Sequence, residues 1–277
     1  MKKICKPIEQ VKEVYNVCIS KINDDEKKKI MEECIDELVE DEKLYEEKAM
    51  RGELSQFPQK EIMCNAITIE EMKKVYSYRM VNKKQPGRIY YNKLLNLVEI
   101  CPFCGVRDVS TLDHYLPKSK YASIVVTPIN LLPVCRDCNI NKDTINPVND
   151  GEEIWHPYYD DFQQFRWLFV CVKQVTPPNI KYYINIPDDL ANDKIIKKIK
   201  SSFIRLKLGS LYSKNAVKEM KDIEFYMKTL KTNVGISGVK QQLEMMYESF
   251  KQNDINSWKV ALYENLKDND WYIEKYL

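Results

Sequence analysis

Apolar positions recur along the chain with two different periods, and the change of period marks its parts. Residues 8–22 and 25–50 carry helical spacing. In the second stretch Met31, Cys34, Ile35 and Leu38 fall at i, i+3, i+4 and i+7, with charge at most positions between them. Asp24 and Asp25 stand where a helix cap is needed, and Arg51-Gly52 can close the same helix. Residues 68–82 open with Thr68 and, three positions on, Glu71, the spacing of a capping box. Gln85-Pro86-Gly87 then interrupts the pattern, and 88–99 predicts a further helix. Residues 165–175 and 180–186 are rich in β-branched and aromatic side chains and flank Thr176-Pro177-Pro178-Asn179, which predicts a β-hairpin. From Asp188 the helical period returns over roughly 189–208, 210–231, 236–252 and 256–267. No internal repeat or low-complexity stretch is present. The segment 101–150 follows neither period.

Composition narrows the class. The chain has 277 residues, of which 44% are hydrophobic and 30% charged, so it can bury a core and is no disordered polymer. No stretch approaches about 18 consecutive apolar residues, so no membrane-spanning helix is expected. The opening MKKICKPIEQVKEV lacks the apolar core of a secretory signal, and the 9 cysteines are an odd number for a disulfide framework. The expectation is a cytoplasmic protein whose thiols are reduced or bound to metal. With 7 glycines and neither GxGxxG nor GxxxxGK[ST], the sequence argues against Gly-rich phosphate loops.

The net charge of +2 hides segregation. Residues 24–53 hold 13 acids against 6 bases, 73–93 hold 7 bases and no acid, and 197–221 hold 8 bases and one acid. The first basic run interleaves Tyr76, Tyr78, Tyr90 and Tyr91 with its cations, a pattern suited to nucleic acid, although a solvated helix face would look the same. The second overlaps an apolar stripe of Ile195, Ile199, Phe203 and Leu206 and reads as an ordinary amphipathic helix.

The chemistry concentrates in 101–142. Cys101-x2-Cys104 and Cys135-x2-Cys138 are two thiolate pairs able to supply the four tetrahedral ligands of a closed, structural Zn²⁺ site; four unrelated buried cysteines are the alternative. Cys5, Cys18, Cys34, Cys64 and Cys171 have no such spacing. Between and beside the pairs lie Asp113-His114, Asn130 and Asn139. A carboxylate and a side-chain amide oxygen suit Mg²⁺ or Mn²⁺. A neighbouring imidazole can take a proton from water near neutral pH.

These residues resemble the HNH (ββα-metal) endonucleases, in the subset that carries a four-cysteine zinc site. The match covers about 45 residues, CPFCG through LDHYLPKSKY to NLLPVCRDCN. The resemblance implies a ββα unit in which Asp113 is a metal ligand and His114 the general base. Asn130 would brace the loop, and Asn139 would take the final ligand position, where the family more often has His. Lys142, Arg88, Lys118, Lys120 and His156 are expected contacts to phosphate, although His156, beside Trp155 and Pro157, reads more readily as a packed structural residue. The wider pattern is similar to the HNH subunits of Septu-type and retron-linked anti-phage systems: Pro86-Gly87-Arg88, Trp155-His156-Pro157-Tyr158 and a helical tail with Ser257-Trp258-Lys259. In those systems a separate ATPase holds the nuclease.

The expected fold is therefore mainly α, with a central zinc-stapled ββα module and a β-hairpin after it. It divides into an acidic helical segment (1–67), basic helices with the module (68–150), a connecting loop and hairpin (151–187) and a helical C-terminal region (188–277). The expected function is metal-dependent hydrolysis of DNA, with RNA not excluded, in a defence complex with an ATPase and away from membranes. The alternative is a non-cleaving, zinc-stapled module for nucleic-acid binding or scaffolding.

Overall fold

A computed structural model describes residues 2–142, 153–175, 178–186 and 193–277. The protein is mainly helical, with small two-stranded antiparallel sheets. Residues 3–160 form one compact unit and residues 161–277 the body of a second.

The first unit begins with α1 (Val11–Ile19), α2 (Asp25–Glu33) and α3 (Ile35–Arg51). Helix α1 buries Val11, Val14, Tyr15 and Cys18, one face at helical spacing. Its first free amide is satisfied from α3, where both oxygens of Glu42 accept from Val11 N at 3.0 and 3.2 Å. Helix α2 starts at Asp24, whose carboxylate accepts from Lys27 N. The single helix expected over 25–50 is two, with a corner at buried Cys34, whose ψ of −1° leaves the helical path. Met31, Cys34 and Leu38 all stay in the core across that corner, so the hydrophobic period runs through it unchanged. Helix α3 closes on Gly52, left-handed at φ 64°.

Two short strands, β1 (Ile62–Met63) and β2 (Ile67–Thr68), lead into α4 (Ile69–Lys74), which opens with both hydrogen bonds of the Thr68–Glu71 capping box. The helix then widens into a π-helical turn, Val75–Met80, closed by Val81 N donating to Tyr76 O at 2.9 Å. Helix α5 (Arg88–Leu95) locks this turn. Gly87 approaches so closely that a Cβ there would lie 2.6 Å from both Arg79 O and Cys18 Sγ, and Arg88 Nη1 donates to Val81 O at 2.6 Å. The unit continues with β3 (Thr111–His114), antiparallel to β4 (Leu131–Val134), and then α6 (Arg136–Lys142).

In the second unit the expected hairpin is present as β5 (Leu168–Lys173) paired with β6 (Asn179–Ile184). Thr176 and Pro177 of its expected turn, and the first residues of the helix expected over 189–208, lie outside the described residues. Helix α7 (Lys194–Arg205) starts where Asp193 accepts from Ile195 N at 2.7 Å. Helix α8 (Leu208–Lys251) breaks at Gly235, where φ 83° and ψ −174° separate the two helical stretches that the sequence predicts. Helix α9 (Trp258–Lys267) is capped by Ser257. A final π-helical turn, Trp271–Tyr276, has no counterpart in the predicted elements. No helix among the described residues is long and apolar enough to cross a membrane.

Candidate metal centre and active site

The four paired cysteines meet. Cys101 and Cys104 lie on a tight turn where Gly105, left-handed at φ 64°, donates its N–H to Cys101 O at 2.8 Å. Cys135 follows β4, and Cys138 lies in the first turn of α6, its amide 3.4 Å from Cys135 Sγ. All four are at most 2% exposed, and their sulfurs lie within 4.8 Å of one another, Cys104 and Cys135 at 4.0 Å. Four sulfurs at about 2.3 Å from one tetrahedral ion would stand about 3.8 Å apart. The cluster can therefore hold a metal ion and is compatible with zinc. Hydrogen bonding among the sulfurs pushes the Cys104 and Cys135 thiols down and the Cys101 and Cys138 thiols up, as expected of four thiols that share their protons.

A cleft of about 890 Å³ is lined in part by the same hairpin, with Asp113, His114, Lys118, Asn139, Tyr76 and Tyr91 among its walls. Asp113 and His114 end β3, opposite Leu132 and Leu131 of β4, and Tyr115 N extends the ladder to Asn130 O at 2.8 Å. The loop between the strands is tied together by Asn130, which is fully buried. Its Oδ1 accepts from Leu116 N at 2.8 Å, and its Nδ2 donates to Leu116 O and Ile124 O, both at 3.1 Å. That anchors the carbonyl next in line, Val125 O, which accepts from His114 Nε2 at 2.8 Å. A carbonyl can only accept, so Nε2 carries the ring hydrogen and Nδ1 is the bare nitrogen. Burial, with Lys118 and Lys142 nearby, pushes the imidazole down to about 3, so it is neutral near neutral pH. The Tyr76 ring meets it edge-on, with centroids 4.5 Å apart at 70°.

Asp113 is 7% exposed. Burial pushes its carboxyl up, while the Lys142 ammonium, 3.2 Å from Oδ2, pulls it down. Oδ2 is enclosed and accepts no well-directed hydrogen bond, and Lys142 Nζ also donates to His114 O at 2.6 Å. Asn139 sits one residue past Cys138 on α6, with its amide bonded to Cys135 O at 3.1 Å.

The remaining predicted residues scatter. Lys142 is 1% exposed and lies beneath the Asp-His pair instead of on the cleft wall. Arg88 braces the π-helical turn, with Nε on Asn92 Oδ1 at 2.9 Å and its guanidinium 4.4 Å from the centroid of the Tyr91 ring. Lys118 faces the cleft, half-buried, and burial pushes its ammonium below the usual lysine range. Lys120 is exposed outside the cleft, and its carbonyl accepts from Lys60 N at 3.2 Å. His156 is buried, with Nδ1 accepting from Tyr158 N at 3.3 Å and Nε2 on Tyr45 Oη at 3.0 Å, so both ring nitrogens are used for structure. The sequence pattern marks Tyr76 as an aromatic within a basic run but not as the neighbour of His114; the π-helical turn that aims it has no periodic signature.

The chain is similar to protein ea31 of Escherichia phage lambda, at 28% identity over 224 residues that cover 76% of this chain and 75% of that protein. No family model and no solved structure matches it. That relative's name states no chemistry, so the functional reading rests on the site.

Proposed function

We propose that this chain is a metal-dependent endonuclease of the HNH (ββα-metal) class, hydrolysing DNA phosphodiester bonds in the cytoplasm as the nuclease of an anti-phage complex with an ATPase. The observation that carries the chemistry is His114: a neutral imidazole with Nε2 fixed on Val125 O and Nδ1 bare, in one cleft with Asp113, Asn139 and Lys118. The partnership with an ATPase rests on the resemblance of the sequence.

In this reading the cysteine cluster holds a structural Zn²⁺ that ties the turn at 101–104 to the start of α6. The cleft fits a Mg²⁺ or Mn²⁺: the Asp113 carboxylate, whose Oδ2 stays with Lys142, and the Asn139 side-chain amide both line it and are hard oxygen donors. Such an ion, when bound, supplies charge stabilisation for the leaving oxygen. His114 Nδ1 takes a proton from water as the water oxygen attacks phosphorus. The bond from phosphorus to the 3′ oxygen breaks, and that oxygen gains a proton from solvent, giving a 5′ phosphate and a 3′ hydroxyl. Asn130 holds the loop that presents Val125 O and so keeps the imidazole in one tautomer and orientation. Lys142 fixes the Asp-His pair from beneath, and Lys118 offers the incoming phosphate a cation.

Incubating supercoiled plasmid with the chain in Mg²⁺, Mn²⁺ or EDTA, with and without a co-expressed ATPase, tests the reading. Metal-dependent nicking or cutting that EDTA abolishes is expected, stronger in the complex. A folded protein that binds DNA yet never cuts it under any of these conditions would establish the non-cleaving module instead.

A further inference from the structure

Two groups line the cleft beside His114 and make no hydrogen bond to the described residues. The first is the Lys118 ammonium. It is half-buried and lies 5.0 Å from the centroid of the Tyr76 ring, yet it has no ion-pair or hydrogen-bond partner among the described residues. The neighbouring cations are committed: Lys73 pairs with Glu70 at 2.7 Å, and Lys142 with Asp113 and His114 O. The Asp113 carboxylate of the same cleft acts on Lys118 only through space, which leaves the ammonium's N–H groups free to meet an anion that enters.

The second is the Tyr76 hydroxyl, which has no hydrogen-bond partner among the described residues although the residue is only 6% exposed. The Tyr15 and Tyr159 hydroxyls of the same unit also lack a hydrogen-bond partner, but they are enclosed, whereas Tyr76 lines the cleft beside His114. The ring itself is firmly placed. It packs edge-on against His114, and Gly87 and Arg88 clamp the π-helical turn that carries it. π-helical turns of this kind are frequent at functional sites.

We propose that the Tyr76 hydroxyl and the Lys118 ammonium together seat the scissile phosphate, donating to its non-bridging oxygens beside His114. This rests on the nuclease reading above and extends it: the phosphate seat is shared between the helical arm, which supplies Tyr76, and the hairpin loop, which supplies Lys118. Donors placed where charge develops on phosphate oxygens are worth most in a water-poor cleft. The Tyr76 ring meanwhile keeps the imidazole from tilting away from the bare-nitrogen orientation that attack on that phosphate requires.

The test uses Tyr76→Phe, which retains the ring, and Lys118→Met, which retains the aliphatic stem, with Lys118→Arg as the conservative rescue. In the His114→Ala background, without divalent metal, anisotropy of a fluorescein-labelled DNA duplex is followed across a salt series. Lys118→Met should reduce the slope of log affinity against log salt by about 1, and Lys118→Arg should restore it. In the catalytically intact chain at saturating DNA, Tyr76→Phe should lower kcat by about 10- to 100-fold with KM little changed, the pattern for a contact made in the transition state. Thermal melting and the metal content of the cysteine cluster report on folding and should not move. An unchanged salt slope for Lys118→Met, or a wild-type kcat for Tyr76→Phe, overturns the proposal. If His114→Ala is inactive while both variants behave as wild type, the phosphate seat fails alone. If His114→Ala itself cuts at the wild-type rate, the nuclease reading fails first.

Discussion

The cysteine cluster and the cleft are built from the same hairpin and the same short helix, and they treat their polar groups in opposite ways. In the cluster every donor faces inward: four sulfurs at most 2% exposed converge within 4.8 Å. In the cleft each group is only partly committed. His114 uses one ring nitrogen and keeps the other bare, Asp113 shares Lys142 with a carbonyl, and Lys118 has no partner among the described residues. Helix α6 serves both. Successive residues on a helix turn by about 100°, so Cys138 faces the cluster while Asn139 borders the cleft, and Lys142, a turn beyond Cys138, returns beneath Asp113. A closed set of ligands stabilises a fold, and an open one holds interactions in reserve for a ligand.

The sharpest way to break that contrast is to open the closed site. Structural zinc in small modules contributes about 10–16 kcal/mol of apparent folding free energy. Cys135→Ser, or removal of the ion by a strong chelator, should therefore lower the melting temperature by about 10 °C or more. Calorimetry beside elemental analysis checks this; a variant without metal but with an unchanged melting curve would show that the cluster is not a staple.

Asn130→Ala is next in size. It strips Leu116 N, Leu116 O and Ile124 O of a buried partner, which should cost about 2–4 kcal/mol in urea unfolding. Its effect on cleavage should be milder than that of removing His114, because the imidazole loses only its orientation. Arg88→Met should cost about 1–2 kcal/mol through the lost Val81 O bond and the contact with Tyr91, with the slope of DNA affinity against salt unchanged. Lys120→Ala, exposed and outside the cleft, should stay within about 0.5 kcal/mol of wild type. A large loss of DNA affinity in Arg88→Met or Lys120→Ala would move the phosphate path away from the cleft.

How legible these regions are in the sequence follows from what each one needs. The cysteine cluster depends on thiol spacing, which is local, so the two C-x2-C pairs reveal it directly. The helices depend on periodicity, which also survives in the wrong places: it crosses the corner at Cys34 because Met31 and Leu38 remain in one core. The π-helical turn at Val75–Met80 depends on how α5 packs against it, and no pattern of single residues encodes that. For charged side chains, sequence gives the charge and not the direction. Lys142, Arg88 and Lys118 look alike as cations, yet one is buried under Asp113, one clamps a turn and one faces the cleft. The two histidines differ in the same way. His156 is satisfied at both nitrogens by Tyr45 and Tyr158, partners 111 and 2 residues away, a distinction made by tertiary packing alone.

The central claim is that His114 Nδ1 is the base of a hydrolytic site, and one substitution addresses it most directly. Wild-type chain and His114→Ala, in complex with the ATPase where it co-purifies, are compared for plasmid cleavage in Mg²⁺, for metal in the cysteine cluster and for DNA affinity. Cleavage should fall by about 10²–10⁴-fold, with metal content and affinity unchanged, because His114 belongs to neither the cluster nor the basic run. Cleavage by His114→Ala at the wild-type rate would contradict the account at its centre.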